Sequence, residues 1–149
     1  MLKIYLDTCS LQRPFDSKEQ VRNALEAEAV LFLISLHDTE SINLVSSEAL
    51  LFENQRVADP ARQEFALAVL RQAKIFVQAT NAVQSRARNM IASGVMPLDA
   101  LHLASAQEAQ ADYFCTCDDK LLKKAKPLCE PSMRVLSPVQ LLQEIEDES

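Results

Sequence analysis

Short apolar runs alternate with longer stretches of helical spacing along the whole 149-residue chain. Leu2 to Leu6 is an apolar run broken only by Lys3 and reads as a first strand, expected at the centre of a sheet. From Glu19 to about His37, the residues Val21, Leu25, Ala29, Phe32, Leu33 and Leu36 recur at helical spacing and predict a long helix. Ile42 to Val45 reads as a second strand, and Ser46 or Ser47 suits the cap of a helix from Glu48 to Asn54. Pro60 fits the first turn of the next helix, which carries Phe65, Leu67 and Leu70 and runs to about Gln72. Lys74 to Val77 is a shorter third strand, and the helix from Thr80 to Ser93 ends naturally at Gly94.

Pro97 opens a helix from Leu98 to Gln110, with Leu98, Leu101, Ala104 and Ala109 expected inward. Asp112 to Cys115 reads as a fourth strand, Asp118 to Ala125 as a helix, and Met133 to Leu136 as a fifth strand. Ser137 and Pro138 start a last helix to about Glu146, before an acidic tail expected to fray. Strands alternating with helices predict a doubly wound α/β domain around a parallel sheet of about five strands. With no linker or repeat, residues 1–149 read as a single domain of a length that can bury a core.

Composition narrows the chemistry. The single glycine excludes both a phosphate-binding P-loop and a dinucleotide-binding Gly-x-Gly-x-x-Gly turn. A net charge of −6 runs against the basic footprint of most nucleic-acid binders. Cations held in an acidic site would reduce that charge. No stretch is apolar for long enough to span a bilayer, and the N-terminus reads as a strand rather than a leader, so a cytoplasmic location is expected. In that compartment Cys9, Cys115, Cys117 and Cys129 are expected as free thiols. Cys115 and Cys117 with His37 or His102 would make only a poorly supported zinc set.

The candidate chemistry lies in the acids that follow strands. Asp7 comes directly after the first strand and Glu53 lies in the helix after the second. Asp99 is in the first turn of the helix opened by Pro97, and Asp118 is in the turn after the fourth strand. In an open parallel sheet, ligands bind beyond the carboxyl ends of the strands. Singly, Asp7, Asp99 and Asp118 each suit a helix cap or first turn, and Glu53 a solvated helix face. Together, four carboxylates on one sheet edge would repel unless a cation neutralised them, and an all-oxygen set suits Mg²⁺ or Mn²⁺. A phosphatase using paired aspartates would need a second Asp where Cys9 stands. A phospho-receiver would need one after the third strand, where Val77 to Thr80 has none.

The segments Leu6-Asp7-Thr8-Cys9, Ser47 to Glu53, Leu98-Asp99-Ala100-Leu101-His102-Leu103-Ala104 and Ala111 to Asp118 resemble, in order and spacing, the signatures of the PIN-domain family. Arg13-Pro14-Phe15-Asp16 and Ser137-Pro138 are similar to a prokaryotic branch of it. The resemblance implies a three-layer α/β/α sandwich and an Mg²⁺- or Mn²⁺-dependent endonuclease acting on RNA. It implies Asp7, Glu53, Asp99 and Asp118 as the metal-binding and catalytic acids, with Thr116 in support. It further implies a homodimer and the toxin half of a toxin–antitoxin pair, with an antitoxin protein as partner. The alternative is a PIN-like fold kept as a protein- or RNA-binding module.

Two choices stay open within this set. Asp119 is either a supporting acid or simply the first turn of its helix, and Glu48 competes with Glu53. His102 shares a helical face with Asp99, where it could orient a carboxylate, reach a phosphate or serve as a buried packing residue. Arg13, Lys120, Lys123, Lys124 and Lys126 are the cations expected to hold RNA.

Overall fold

In the computed structural model, which describes residues 1–148, the order of elements follows this reading. The strands are β1 Leu2–Leu6, β2 Ile42–Ser47, β3 Ile75–Val77, β4 Tyr113–Cys115 and β5 Arg134–Leu136. All are parallel, in the order β3-β2-β1-β4-β5, so β1 is central as expected. The buried β1 residues Ile4, Tyr5 and Leu6 and the fully covered Phe114 of β4 reflect a sheet with helices on both faces. Tyr5 stacks on Phe114 with ring centroids 5.3 Å apart.

The helices are α1 Thr8–Gln12, α2 Val21–Asp38, α3 Glu48–Gln55, α4 Pro60–Arg71, α5 Asn81–Ala92, α6 Pro97–Glu108, α7 Asp119–Cys129 and α8 Pro138–Glu148. They form the outer layers of a three-layer α/β/α sandwich, with α2 packed against α8 and α5 against α6. After β3 the chain crosses back to the other side of β1. The topological switch point therefore lies between β1 and β4, where such sheets bind ligands. Among the described residues no helix is long and apolar enough to cross a membrane.

The lone glycine does what the sequence predicts. Gly94 has φ 101°, its N–H bonds Ile91 C=O and the next N–H, of Val95, bonds Met90 C=O, closing α5. Without further glycines, Glu40 and Gln110 adopt the same left-handed conformation after α2 and α6.

Three local differences stand out. α1 and the 3-10 turn Arg13–Phe15 lie in a stretch with no apolar period, where Asp7 caps α1 by accepting from Ser10 N–H. The stripe of α2 is only half inward: Ala29 and Leu33 are buried, but Val21 is 74 % exposed, Leu25 55 % and Phe32 52 %. The last helix continues to Glu148, past the expected end near Glu146, with Ser149 outside the described residues.

Candidate functional site

One cleft of about 590 Å³ opens at the carboxyl edge of the sheet, lined by Asp7, Glu53, Asp99 and Asp118 together. Each reaches it from a different element. Asp7 is the residue after β1, its N–H bonded to Cys115 C=O on β4 at 3.1 Å. Asp118 follows β4 and caps α7, its Oδ1 accepting from Lys120 and Leu121 N–H at 2.9 and 3.2 Å. Glu53 is in α3 and Asp99 in the first turn of α6. The structural role of capping and a place in the cleft therefore coexist in Asp7 and Asp118.

Electrostatics binds the four into one unit. Asp99 is pushed up to about 6, first by burial and then by the charge of Asp7, with Asp118 and Glu53 adding to it. Burial also raises Asp7, which is only 4 % exposed, against hydrogen bonds from Thr116, Cys9 and Ser10 N–H. Glu53 goes the other way. Burial disfavours its charge, but hydrogen bonding to His102 helps to outweigh that, and the carboxyl ends below its ordinary value.

His102 links Glu53 to a buried chain of hydrogen bonds. Its Nε2 lies 2.8 Å from Glu53 Oε1, and its Nδ1 lies 2.7 Å from the Tyr5 hydroxyl. Tyr5 in turn lies 2.7 Å from Ser47 Oγ, which accepts from Leu50 N–H at 3.1 Å. An ionised Glu53 can only accept, so Nε2–H donates to it. With His102 neutral, Nδ1 then accepts from Tyr5, and Tyr5 accepts from Ser47. Of the three roles open to His102, the structure gives it orientation of a carboxylate, though of Glu53 rather than Asp99. The same chain separates Glu53 from Glu48, which is exposed and away from the cleft.

Thr116 is fully buried and ties two acids together. It hydrogen-bonds Asp7, and its Oγ1 accepts from Asp118 N–H at 3.1 Å. Asp119 is not brought into the cleft. Arg22 holds it from outside with two bonds of 2.8 Å each, which keeps its carboxyl below the ordinary range. Arg13 is also placed elsewhere, paired with Asp16 at 2.9 Å and the buried Glu26 at 3.1 Å. Lys120, Lys123, Lys124 and Lys126 lie along α7, and none lines the cleft. Lys124 Nζ donates to Gly94 C=O, and Lys126 Nζ to Val135 C=O.

The cations that do line the cleft are Arg56 and Arg62. Arg62 is anchored by Asp16 and Gln12, whereas Arg56 lies 5.7 Å from the exposed Phe52 ring. A sequence signal for Arg56 existed: it follows Glu53 by three residues and so shares its helical face.

The donor set suits a hard divalent cation, being oxygen-only and crowded with like charge. Among the described residues no three Asp, Glu, His or Cys side chains stand close enough to form a ligand shell as placed. Mg²⁺ characteristically keeps several waters and takes one or two protein carboxylates directly, so its binding does not require a close three-ligand shell.

The comparisons agree with this architecture. The PIN domain family model matches residues 4–127. This chain belongs to the PIN domain family. Proteins of that family are generally metal-dependent nucleases. No curated protein matches the chain. Among solved structures, the crystal structure of PAE2754 from Pyrobaculum aerophilum is similar to this PIN domain. The TM-score is 0.56 and the identity 15 % over 98 % of this chain and 90 % of that one, a likeness of fold.

Proposed function

We propose that this PIN domain is an endoribonuclease that hydrolyses RNA phosphodiester bonds in the acid cleft with Mg²⁺ or Mn²⁺. The observation that carries this reading is the convergence of Asp7, Glu53, Asp99 and Asp118 on one cleft, with Asp99 raised to about 6 partly by the charges of the others. A cluster held against its own repulsion is explained by a bound cation.

When bound, the cation supplies Lewis-acid stabilisation of the phosphate and activates water for in-line attack. The protein's own groups position and neutralise. Asp7, fixed by Ser10, Cys9 and Thr116, and Asp118, fixed as a helix cap, present carboxylates from the two strands at the switch point. Glu53 is kept ionised and aimed by His102, and Asp99 completes the set from α6. Arg56 gives the acidic chain a local cation for the RNA backbone, beside the exposed Phe52 ring on which a base can stack.

The family and the size of the chain support a role as the toxin of a toxin–antitoxin pair, and four free thiols support a cytoplasmic setting. The exposed apolar residues of α2 and α8 support a partner chain, whether a second copy in a homodimer or an antitoxin. A second reading, a binding module without catalysis, is favoured by the net charge of −6 and by the lack of a close three-ligand shell among the described residues.

Labelled single-stranded RNA incubated with the protein and Mn²⁺, against an EDTA control, separates the two. Cleavage only in the presence of the metal supports the nuclease. Binding without cleavage across RNA substrates and both metals supports the module.

A further inference from the structure

Away from the acid cleft, an apolar trough runs between α2 and α8. Two cavities of about 690 and 480 Å³ make it, and they join at Leu25 and Val139, which line both. Neither shares a residue with the acid cleft. The α2 wall is a single stripe: Val21, Leu25 and Phe32 are exposed, stand at helical spacing and line the trough. At about 1.5 Å per residue, the stripe runs for roughly 16 Å.

That length suits the apolar face of one helix of about three turns, laid into the trough. An extended segment would find no main-chain partners there, because α2 and α8 bond their backbone groups within their own helices.

Charge decides which helix fits. Glu28 lies between Leu25 and Phe32 on the same face of α2, and Glu146 lines the same cavity from α8. Glu26 and Asp119 line the other cavity. Arg22, the one cation among these lining residues, is already paired with Asp119 at 2.8 Å and Glu26 at 3.4 Å. A second copy of the chain would set acids against acids, and an anionic membrane surface would be repelled in the same way. A basic helix is complementary to this rim.

We propose that the trough docks a cationic amphipathic helix of a partner protein, its apolar side chains along α2 and its lysines or arginines beside Glu28 and Glu146. The proposal rests on the reading of this face as a partner surface and makes that partner a different protein rather than a second copy. It does not rest on catalysis, and a helix bound here leaves the acid cleft open.

The test uses the full chain and a fluorescein-labelled, helix-forming peptide of about 15 residues, with leucines at helical spacing flanked by lysines. One control peptide scrambles the order, and another replaces the lysines with glutamates. Anisotropy across a salt series reads affinity, and amide NMR shifts of the labelled protein read the place. The expected result is tight binding of the lysine peptide alone, weakened by salt, with shifts along residues 21–32 and 139–143. Phe32→Ala should weaken it roughly tenfold or more, and Glu28→Lys should weaken it and flatten its salt dependence. Both side chains are exposed, and the shift map of the wild type needs no variant.

Equal affinity for either control peptide would overturn the proposal, as would shifts confined to the acid cleft. A wild-type dimer that Phe32→Ala converts to monomer in sedimentation velocity would give the face to a second copy. Phe32-dependent binding to phosphatidylserine vesicles would give it to a membrane, and either result overturns the proposal. Failure of the nuclease reading, seen as no metal-dependent RNA cleavage, moves none of these readouts.

Discussion

His102 Nε2 stands 2.8 Å from Glu53 Oε1, and this contact ties α6 to α3 across the cleft. Behind it, Tyr5 and Ser47 complete a chain in which every polar atom has a partner. Glu53 is thus positioned from the central strand, two residues before Asp7.

Cutting this chain should be felt in both stability and function. Tyr5→Phe leaves His102 Nδ1 without its donor in a fully buried setting, at a cost of about 1–3 kcal/mol. Urea unfolding measures that loss. Metal-dependent cleavage should fall together with it, roughly 10–100-fold. His102→Ala should do the same and let the Glu53 carboxyl rise.

The pH dependence of the metal-free protein follows from Asp99. Its carboxyl titrates near 3.8 when unfolded and at about 6 when folded. Below the lower value both states are protonated and the site costs nothing. As pH rises towards about 6 the unfolded chain ionises first, so stability falls across that window and then levels off. Asp7 shifts in the same direction, and Glu53 in the opposite one. Asp99→Asn should therefore raise the thermal midpoint near neutral pH, with little gain at about pH 4. Added Mn²⁺ should stabilise the wild type more than the variant.

Much of this was legible in the sequence. Leu2–Leu6 as a central strand, Pro97 at the start of a helix and Gly94 at the end of one follow from local rules that packing did not override. The edge that gathers Asp7, Glu53, Asp99 and Asp118 followed from their places near strand ends and helix starts in a sheet read as parallel. Asp119 and Arg13 could not be placed, because their partners Arg22 and Glu26 lie in a helix brought close only by folding. For the same reason Tyr5 was invisible as a functional neighbour: a buried strand residue reads as core until its hydroxyl is seen against His102. The half-exposed stripe of α2 defeats periodicity, since spacing shows that a face is apolar but not what covers it.

RNA affinity should depend on Arg56 more than on the lysines of α7. Arg56→Glu should weaken binding and lower the slope of log Kd against log salt by about one, whereas Lys123→Glu should change it less. Fluorescence anisotropy across a salt series measures both. Equal effects would move the binding surface to α7.

Gln110 occupies a left-handed conformation, at φ 56°, that glycine adopts freely. Gln110→Gly should stabilise the fold by about 1 kcal/mol in urea unfolding and leave cleavage unchanged. It lies at the opposite end of α6 from Asp99.

The central claim is that the four acids serve hydrolysis by water. Cleavage of single-stranded RNA in ¹⁸O-labelled water with Mn²⁺ tests it most directly. Hydrolysis by water at this site should leave solvent oxygen in the product phosphate and no cyclic phosphate ends, with no cleavage in EDTA or by Asp99→Asn. Cyclic phosphate ends formed in EDTA, or undiminished cleavage by Asp99→Asn, would contradict it.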